Sequence, residues 1–175
     1  MHGGLHDGAG ARYEIGPLYV LINDIPGALK AYQWFENTVP NDWGEPVHSL
    51  SWALALYRSK DIDGASNKLL QTMLKNIYLI EHLIGYEINR YDIWHASNYE
   101  DTEYLEYVPI EYIEMWSAEE IEWAKSQFES KLFEKVRNRY LEIYKLLKTT
   151  RPGPERSSLI EEIDKYHNLD FDSLT

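Results

Sequence analysis

The feature that most constrains the fold is a five-residue pattern that occurs twice, 37 residues apart. Asp24-Ile25-Pro26-Gly27-Ala28 returns as Asp61-Ile62-Asp63-Gly64-Ala65. In both copies the aspartate can cap a helix by accepting from an amide two or three residues further on, and a proline is tolerated in a first helical turn. An apolar segment precedes each copy and a helical pattern follows it. Such units at a fixed period are typical of stacked helical hairpins, each of which buries its apolar face on the next.

A second helical region begins near Ser117. Ser117-Ala118-Glu119-Glu120 has the pattern of a capping box, in which a serine and a carboxylate satisfy the first free amides of a helix. Apolar residues then recur every three or four positions from Ile121 to Leu147, which predicts one helix of about eight turns. Two prolines and a glycine in 151–154 end it, and Ser158 predicts the start of a short closing helix. Because period-two alternation is sustained nowhere, we predict an all-α fold.

Small and aromatic residues stand at fixed distances from the two turns. In the first unit these residues are Gly16, Tyr19, Ala28, Tyr32, Phe35 and Pro40. In the second unit they are Ala53, Leu56, Ala65 and Leu69, with Ile77 in place of the proline. Over residues 12–77 this spacing resembles the tetratricopeptide repeat, which implies stacked antiparallel hairpins in a superhelix. The chain departs from that family's pattern at Arg12, where the family has tryptophan, and at Pro17, which predicts a short or broken first helix.

These patterns predict one domain, 1–175, with four parts. The parts are a flexible terminus (1–11), the tetratricopeptide-like hairpins (12–95), an acidic, tyrosine-rich connection (96–116) and a C-terminal pair of capping helices (117–175). The period is 37 rather than the family's 34, with 41–45 as the insertion between the hairpins. A helix from Ile80 to Ile88 is expected to stack on the second hairpin as part of a third unit.

Charge and composition exclude several functions. The chain has 29 acidic and 17 basic residues and a net charge of −12, so a basic nucleic-acid-binding domain is excluded and an anionic membrane surface is disfavoured. Without cysteine there is no disulfide, thiol nucleophile or cysteine-ligated zinc. No apolar run is long enough to span a membrane, and the first residues do not resemble a signal peptide. We therefore expect a cytoplasmic protein.

The absence of known catalytic patterns predicts that the chain is not an enzyme. No nucleophile elbow, phosphate-binding loop, dinucleotide fingerprint or His-Glu-x-x-His spacing occurs. The nearest alternative is a metal site in the loop around His95, formed by Asp92, His95, Asn98, Glu100 and Asp101. The competing interpretation is that His95 packs near Trp94 while the acids face water. We predict no catalytic residue, no metal and no cofactor.

The tetratricopeptide resemblance implies a concave face that holds a peptide or a partner helix. The corresponding partner-binding residues are Ser51, Leu54, Tyr57 and Arg58. Because only Arg58 is cationic, a clamp for a peptide carboxylate is disfavoured and a more apolar peptide is expected. The alternative is that Leu54 and Tyr57 simply pack against the neighbouring hairpin.

A second function follows from the distribution of charge. Residues 98–133 contain ten acids and two bases, so most of the excess charge lies there. This favours an acidic inhibitor or immunity-type protein that neutralises a basic partner through Glu100, Asp101, Glu103 and Glu106. The sequence thus predicts a protein- or peptide-binding module first, an acidic inhibitor second and a metal-dependent enzyme third.

Overall fold

The computed structural model describes residues 10–167, and every regular element in that part of the chain is a helix. The α-helices are α1 (Ala11–Leu21), α2 (Ile25–Thr38), α3 (Pro46–Arg58), α4 (Ile62–Lys75), α5 (Leu79–Leu83), α6 (Glu111–Glu114), α7 (Ala118–Phe128), α8 (Lys131–Thr149) and α9 (Pro154–His167). Two short 3₁₀ helices, Asn98–Glu100 and Thr102–Tyr107, lie between α5 and α6. The prediction of an all-α fold is confirmed. The predicted flexible terminus, 1–11, falls mostly outside the described residues.

The two copies of the sequence pattern form turns with the same N-terminal cap. The carboxylate of Asp24 accepts from the amide of Gly27 at 2.9 Å, and that of Asp61 accepts from Gly64 at 3.0 Å. Each aspartate therefore satisfies one of the free amides at the start of its helix, as the sequence predicts.

The preceding helices also end in the same way. Asn23 and Lys60, one residue before each capping aspartate, have left-handed φ angles of 60° and 72°. The aspartate amide then donates to the carbonyl five residues earlier, that of Tyr19 in the first turn and of Leu56 in the second. This is the Schellman arrangement, in which a left-handed residue lets the last carbonyls of a helix find donors. The internal repeat is thus a repeat of backbone geometry at both turns.

The first hairpin brings a small residue of its first helix against a large one of its second. A Cβ atom added to Gly16 would lie 2.2 Å from Cε1 of Tyr32, so only glycine fits at this crossing. Tyr32 in turn stacks on Trp52 of the next hairpin, with ring centroids 4.8 Å apart. The corresponding residues of the second hairpin, Ala53 and Leu69, are both fully buried.

Four expectations about helix bounds are wrong, and one of them is the start of the closing helix, which begins at Pro154 rather than at Ser158. Pro17 does not break the first helix, because α1 continues through it to Leu21. The helix expected up to Ile88 stops at Leu83, and the left-handed Gly85 (φ 75°) follows its end. These ends show that apolar spacing alone does not locate a helix terminus.

The fourth correction concerns the eight-turn helix, which is two helices. The chain leaves helical geometry at Ser130, whose hydroxyl accepts from the amide of Phe133 and starts α8. The apolar spacing hides this break because Phe128 and Phe133 are buried on either side of it. The capping box at Ser117 is confirmed, with both of its hydrogen bonds present.

The buried apolar side chains of the described residues form one cluster that joins the hairpins to the C-terminal helices. α8 contributes a continuous buried stripe: Phe133, Val136, Tyr140, Ile143, Tyr144 and Leu147. Both α8 and α9 pack against α4, the last helix of the second hairpin. They cover apolar surface that a terminal hairpin would otherwise expose.

Candidate functional site

Two of the four predicted partner-binding residues lie in the core. Ser51 and Leu54 have no exposed surface, and the Ser51 hydroxyl donates to the carbonyl of Val47 at 2.8 Å. The expectation that these two residues line an open groove is corrected, because α3 is enclosed by α1, α2 and α4. Tyr57 and Arg58, at the end of α3, are partly exposed.

The chain's own acidic connection lies along α3. We call residues 98–116 of this connection the tyrosine segment. In it, the Tyr104 hydroxyl donates to the Glu45 carboxylate at 2.9 Å and accepts from the amide of Val47 at 3.2 Å. The hydroxyl of Tyr112 donates to Glu14 of α1 at 2.7 Å. Both tyrosines are buried. The face formed by α1 and α3 therefore holds a segment of this chain.

Arg58 fixes the other end of the same segment. Its guanidinium donates to the Glu120 carboxylate at 2.8 and 3.1 Å and to the carbonyl of Met115 at 2.7 Å. Burial alone would raise the pKa of Glu120, but the hydrogen bonds from Arg58 and from the amide of Ser117 outweigh it and hold the pKa below its usual value. The neighbouring Tyr57 ring packs on Trp123, with centroids 4.6 Å apart.

The four predicted acidic residues divide into two pairs. Glu100 accepts from the amide of Ala96 at 2.7 Å, and burial raises its pKa. Asp101 caps the second 3₁₀ helix and is ion-paired with Arg90. Both carboxylates therefore have partners within the protein, which the count of acidic residues in the sequence could not reveal. Glu103 and Glu106 are exposed, as an acidic surface requires.

The loop around His95 brings His95 and Asp101 of the metal hypothesis near each other, with Nδ1 and Oδ2 3.9 Å apart, but does not gather a full set of ligands among the described residues. His95 stacks on Tyr78, and its Nε2 lies 3.2 Å from the hydroxyl of Tyr78. Asp92 is paired with Lys148 of α8, whereas Asp101 is paired with Arg90. Within residues 10–167, no three His, Asp or Glu side chains are close enough together to hold a metal ion.

α1 also has an exposed apolar surface that was not predicted, which we call the outer face of α1. It consists of Ile15, Leu18, Tyr19 and Ile22, at the i, i+3, i+4 and i+7 spacing of one helix face. Leu18 is 50% exposed and Ile22, the residue that caps the helix, is 71% exposed. The opposite face of the same helix is buried through Gly16, Pro17 and Val20. The signal was present in the sequence, because α1 is apolar on two faces.

Acidic side chains lie beside this surface. Leu21, another apolar residue of α1, shares a shallow depression with Arg58, which is already ion-paired, and with Glu111 and Glu114 of α6. Both glutamates are exposed, as is Asp24 at the start of α2. The outer face of α1 is therefore apolar, with negative charge at its margin.

No protein-family description matches this sequence, and no curated protein or solved structure is similar to it at a significant level. Of the helices in the described part of the chain, none combines the length and apolar character needed to cross a membrane.

Proposed function

We propose that this chain is a protein-interaction module of helical-repeat type, with the outer face of α1 as its binding surface. The observation that carries the proposal is the exposed apolar stripe from Ile15 to Ile22. The tetratricopeptide-like arrangement is part of the same proposal. Its support is the pair of matching turns at Asp24 and Asp61 and the small-against-large crossing in the first hairpin.

The position of the stripe is the reason for assigning it to a partner. A helix that is apolar on two faces is normally buried on both, because exposing the second face leaves apolar area in water. Exposed contiguous apolar surface on a soluble protein marks an interaction site. Within the described residues, α1 has such a surface.

The charge at the margin selects the partner's chemistry. Glu111, Glu114 and Asp24 would repel an acidic protein and attract one with lysine or arginine around an apolar anchor. A second copy of this chain would bring the same acidic margin, and its net charge of −12 adds to the repulsion. We therefore infer a partner protein with an apolar segment flanked by basic residues. This combines the two functions that the sequence favours.

The test is site-specific photo-crosslinking in the organism that makes the protein. A photo-reactive phenylalanine derivative replaces Ile22 in one version and Leu146, an exposed leucine of α8, in the matched control. We expect a specific adduct from position 22 that is lost when Leu18→Glu is added. Equal adducts from both positions, or an adduct between two copies of this chain, would contradict the proposal.

A further inference from the structure

A cleft lies on a different part of the molecule, between α2, α3 and α4. It has a volume of about 270 Å³ and is open to solvent beside Trp43. Its wall combines aromatic side chains with two lysines of α4, Lys68 and Lys75, which stand seven residues apart on one helix face. In a chain with a net charge of −12, two cations facing one small cleft require an explanation.

Neither lysine is neutralised by a buried acid. The ammonium of Lys68 lies 3.6 Å above the ring of Trp52, and the nearest carboxylate, that of the exposed Glu36, is 3.8 Å away. Lys75 donates to the hydroxyl of Ser49, which carries no charge. Among the described residues, Lys75 has no carboxylate within ion-pair distance.

Two acids line the cleft, Glu36 and Asp42, and Asp42 is already engaged. Asp42 pairs with the guanidinium of Arg12 at 2.8 Å and accepts from the hydroxyl of Tyr13 at 2.8 Å and from the amide of Gly44 at 2.9 Å. Burial is the largest cause that lowers the pKa of Lys75, the charge of Lys68 acts in the same direction and Asp42 opposes it more weakly, and together they lower that pKa to about 7. Among the described residues, the charge of Lys75 is not compensated by a carboxylate, and that of Lys68 is compensated only by the exposed Glu36.

His48, on the α3 side of the cleft, is neutral. Its Nδ1 lies 3.0 Å from the carbonyl of Tyr13, which can only accept, so Nδ1 carries the hydrogen and Nε2 is an acceptor. Burial lowers the pKa of His48 to about 4. Nε2 is buried and has no hydrogen-bond partner among the described residues. The histidine thus adds no charge at neutral pH and has an unused acceptor.

We propose that this cleft binds a small organic anion, whose carboxylate or phosphate group is held by Lys68 and Lys75. The free donors of the Lys75 ammonium would bind the anionic oxygens, with the Ser49 hydroxyl as a neighbour. The apolar part of the ligand would lie against Val39 and Trp43 at the mouth. A volume near the lower end of the roughly 300–1,000 Å³ typical of ligand pockets fits a metabolite-sized anion.

Proton uptake would accompany binding. Free Lys75 is partly neutral near pH 7, whereas an anion favours the ammonium and raises its pKa. The other groups facing it are Lys68 of α4, His48 of α3, Asp42 of the connecting loop and Glu36 of α2. Asp42, whose pKa is lowered, stays ionised above pH 6, and His48, whose pKa is about 4, stays neutral there. The pH dependence therefore comes from the two lysines, whose pKa values are lowered by burial, and chiefly from Lys75 with its pKa of about 7. We expect affinity to be constant below pH 7 and to fall by up to about tenfold per pH unit above it.

The experiment titrates the full chain with inorganic phosphate and, separately, with benzoate. The Nζ and Cε signals of the lysines are followed by NMR, and heat is followed by calorimetry. We expect millimolar or tighter binding of at least one probe and an upward shift of the Lys75 pKa. Binding of phosphate alone assigns a phosphorylated ligand, and binding of benzoate alone assigns a carboxylate. No binding of either probe at about 20 mM overturns the proposal.

Variants locate the site independently. Lys75→Gln and Lys68→Gln should each weaken binding at least tenfold, while Lys30→Gln, an exposed lysine of α2, should leave it unchanged. Because the NMR shift is measured on the unaltered chain, a poorly folded Lys75 variant does not remove the test. Equal weakening by all three substitutions would show nonspecific attraction and would contradict a site in the cleft.

Discussion

The two hairpins have the same turn but different surroundings. The caps at Asp24 and Asp61 match, and the residues before them share the left-handed conformation. The first helices nevertheless differ in exposure. Leu18 of α1 is half exposed, whereas Ala55, its equivalent 37 residues later in α3, is fully buried. A repeated motif thus sets the turn and the crossing of its own two helices, while the neighbouring elements set what each helix exposes.

The cause of the difference is what covers each helix. α3 is packed between α1, α2 and α4, and the tyrosine segment runs from Glu45 at its start to Arg58 at its end. α1 has neighbours on one side, with the buried Val20 facing them. Substitutions whose effect depends on what covers each helix should therefore differ between the two hairpins, whereas substitutions at the turns should have equal effects. The following experiments test both expectations.

The largest difference is expected for two leucines. Leu54→Ala in α3 removes a fully buried side chain and should lower the free energy of unfolding by roughly 2–5 kcal/mol. Leu18→Ala in α1 should cost less than about 1 kcal/mol, because half of that side chain is already in water. Chemical denaturation of both variants measures the gap. Similar losses would mean that the outer face of α1 is covered.

A pair of alanines should behave alike instead. Ala28 and Ala65 are both fully buried just after the turns. Ala28→Leu and Ala65→Leu should each overpack the helix crossing and cost roughly 1–3 kcal/mol. Thermal melting checks this. A variant that melts with the parent would show that its hairpin is not packed as described.

The sequence was sufficient for features that depend on neighbouring residues. The caps at Asp24, Asp61 and Ser117 each need only a side chain and an amide three residues on, so spacing predicts them. The all-α class follows in the same way from apolar periodicity. The break at Ser130 had a local signal too, a serine at an N-cap, but a continuous apolar stripe outweighed it.

Burial by distant residues could not be read from spacing. Ser51 and Leu54 occupy positions that a tetratricopeptide groove would leave open, and nothing within α3 indicates the segment that runs along it. The same holds for Glu100 and Asp101, because the acidic composition of the segment around them is typical of a solvated surface. Their partners, Tyr144 and Arg90, come from elements that only the fold brings near.

The two capping aspartates offer a finer comparison. Asp24→Ala and Asp61→Ala should each cost about 1 kcal/mol, because each removes one hydrogen bond to a first-turn amide. Equal losses, measured by denaturation, would support the equivalence of the turns. A loss at one position only would show that the duplicated geometry is not energetically duplicated. Asp63→Ala, an exposed acid that does not cap α4, is the control.

The smallest effect concerns pH and the Arg58–Glu120 pair. The pKa of Glu120 is lower in the folded protein than in the unfolded chain. The pair therefore contributes fully to the stability of the folded state above the usual glutamate pKa of about 4.3, and this contribution is lost as pH falls through the lower folded-state pKa. Arg58→Gln should therefore cost of the order of 1 kcal/mol or less at pH 7 and still less at pH 3. Unfolding at both pH values measures this. A pH-independent cost would show that the loss comes from the Met115 contact alone.

The most direct test of the central claim is binding of the crosslinked partner to two double variants. One replaces Leu18 and Ile22 with glutamate on the outer face of α1, and the other replaces Tyr57 and Arg58 with alanine at the predicted groove. With folding of each checked by melting, we predict that Leu18→Glu/Ile22→Glu weakens binding at least tenfold, about 1.4 kcal/mol, and that Tyr57→Ala/Arg58→Ala changes it little. The reverse result would contradict our account and would return the binding site to the end of α3.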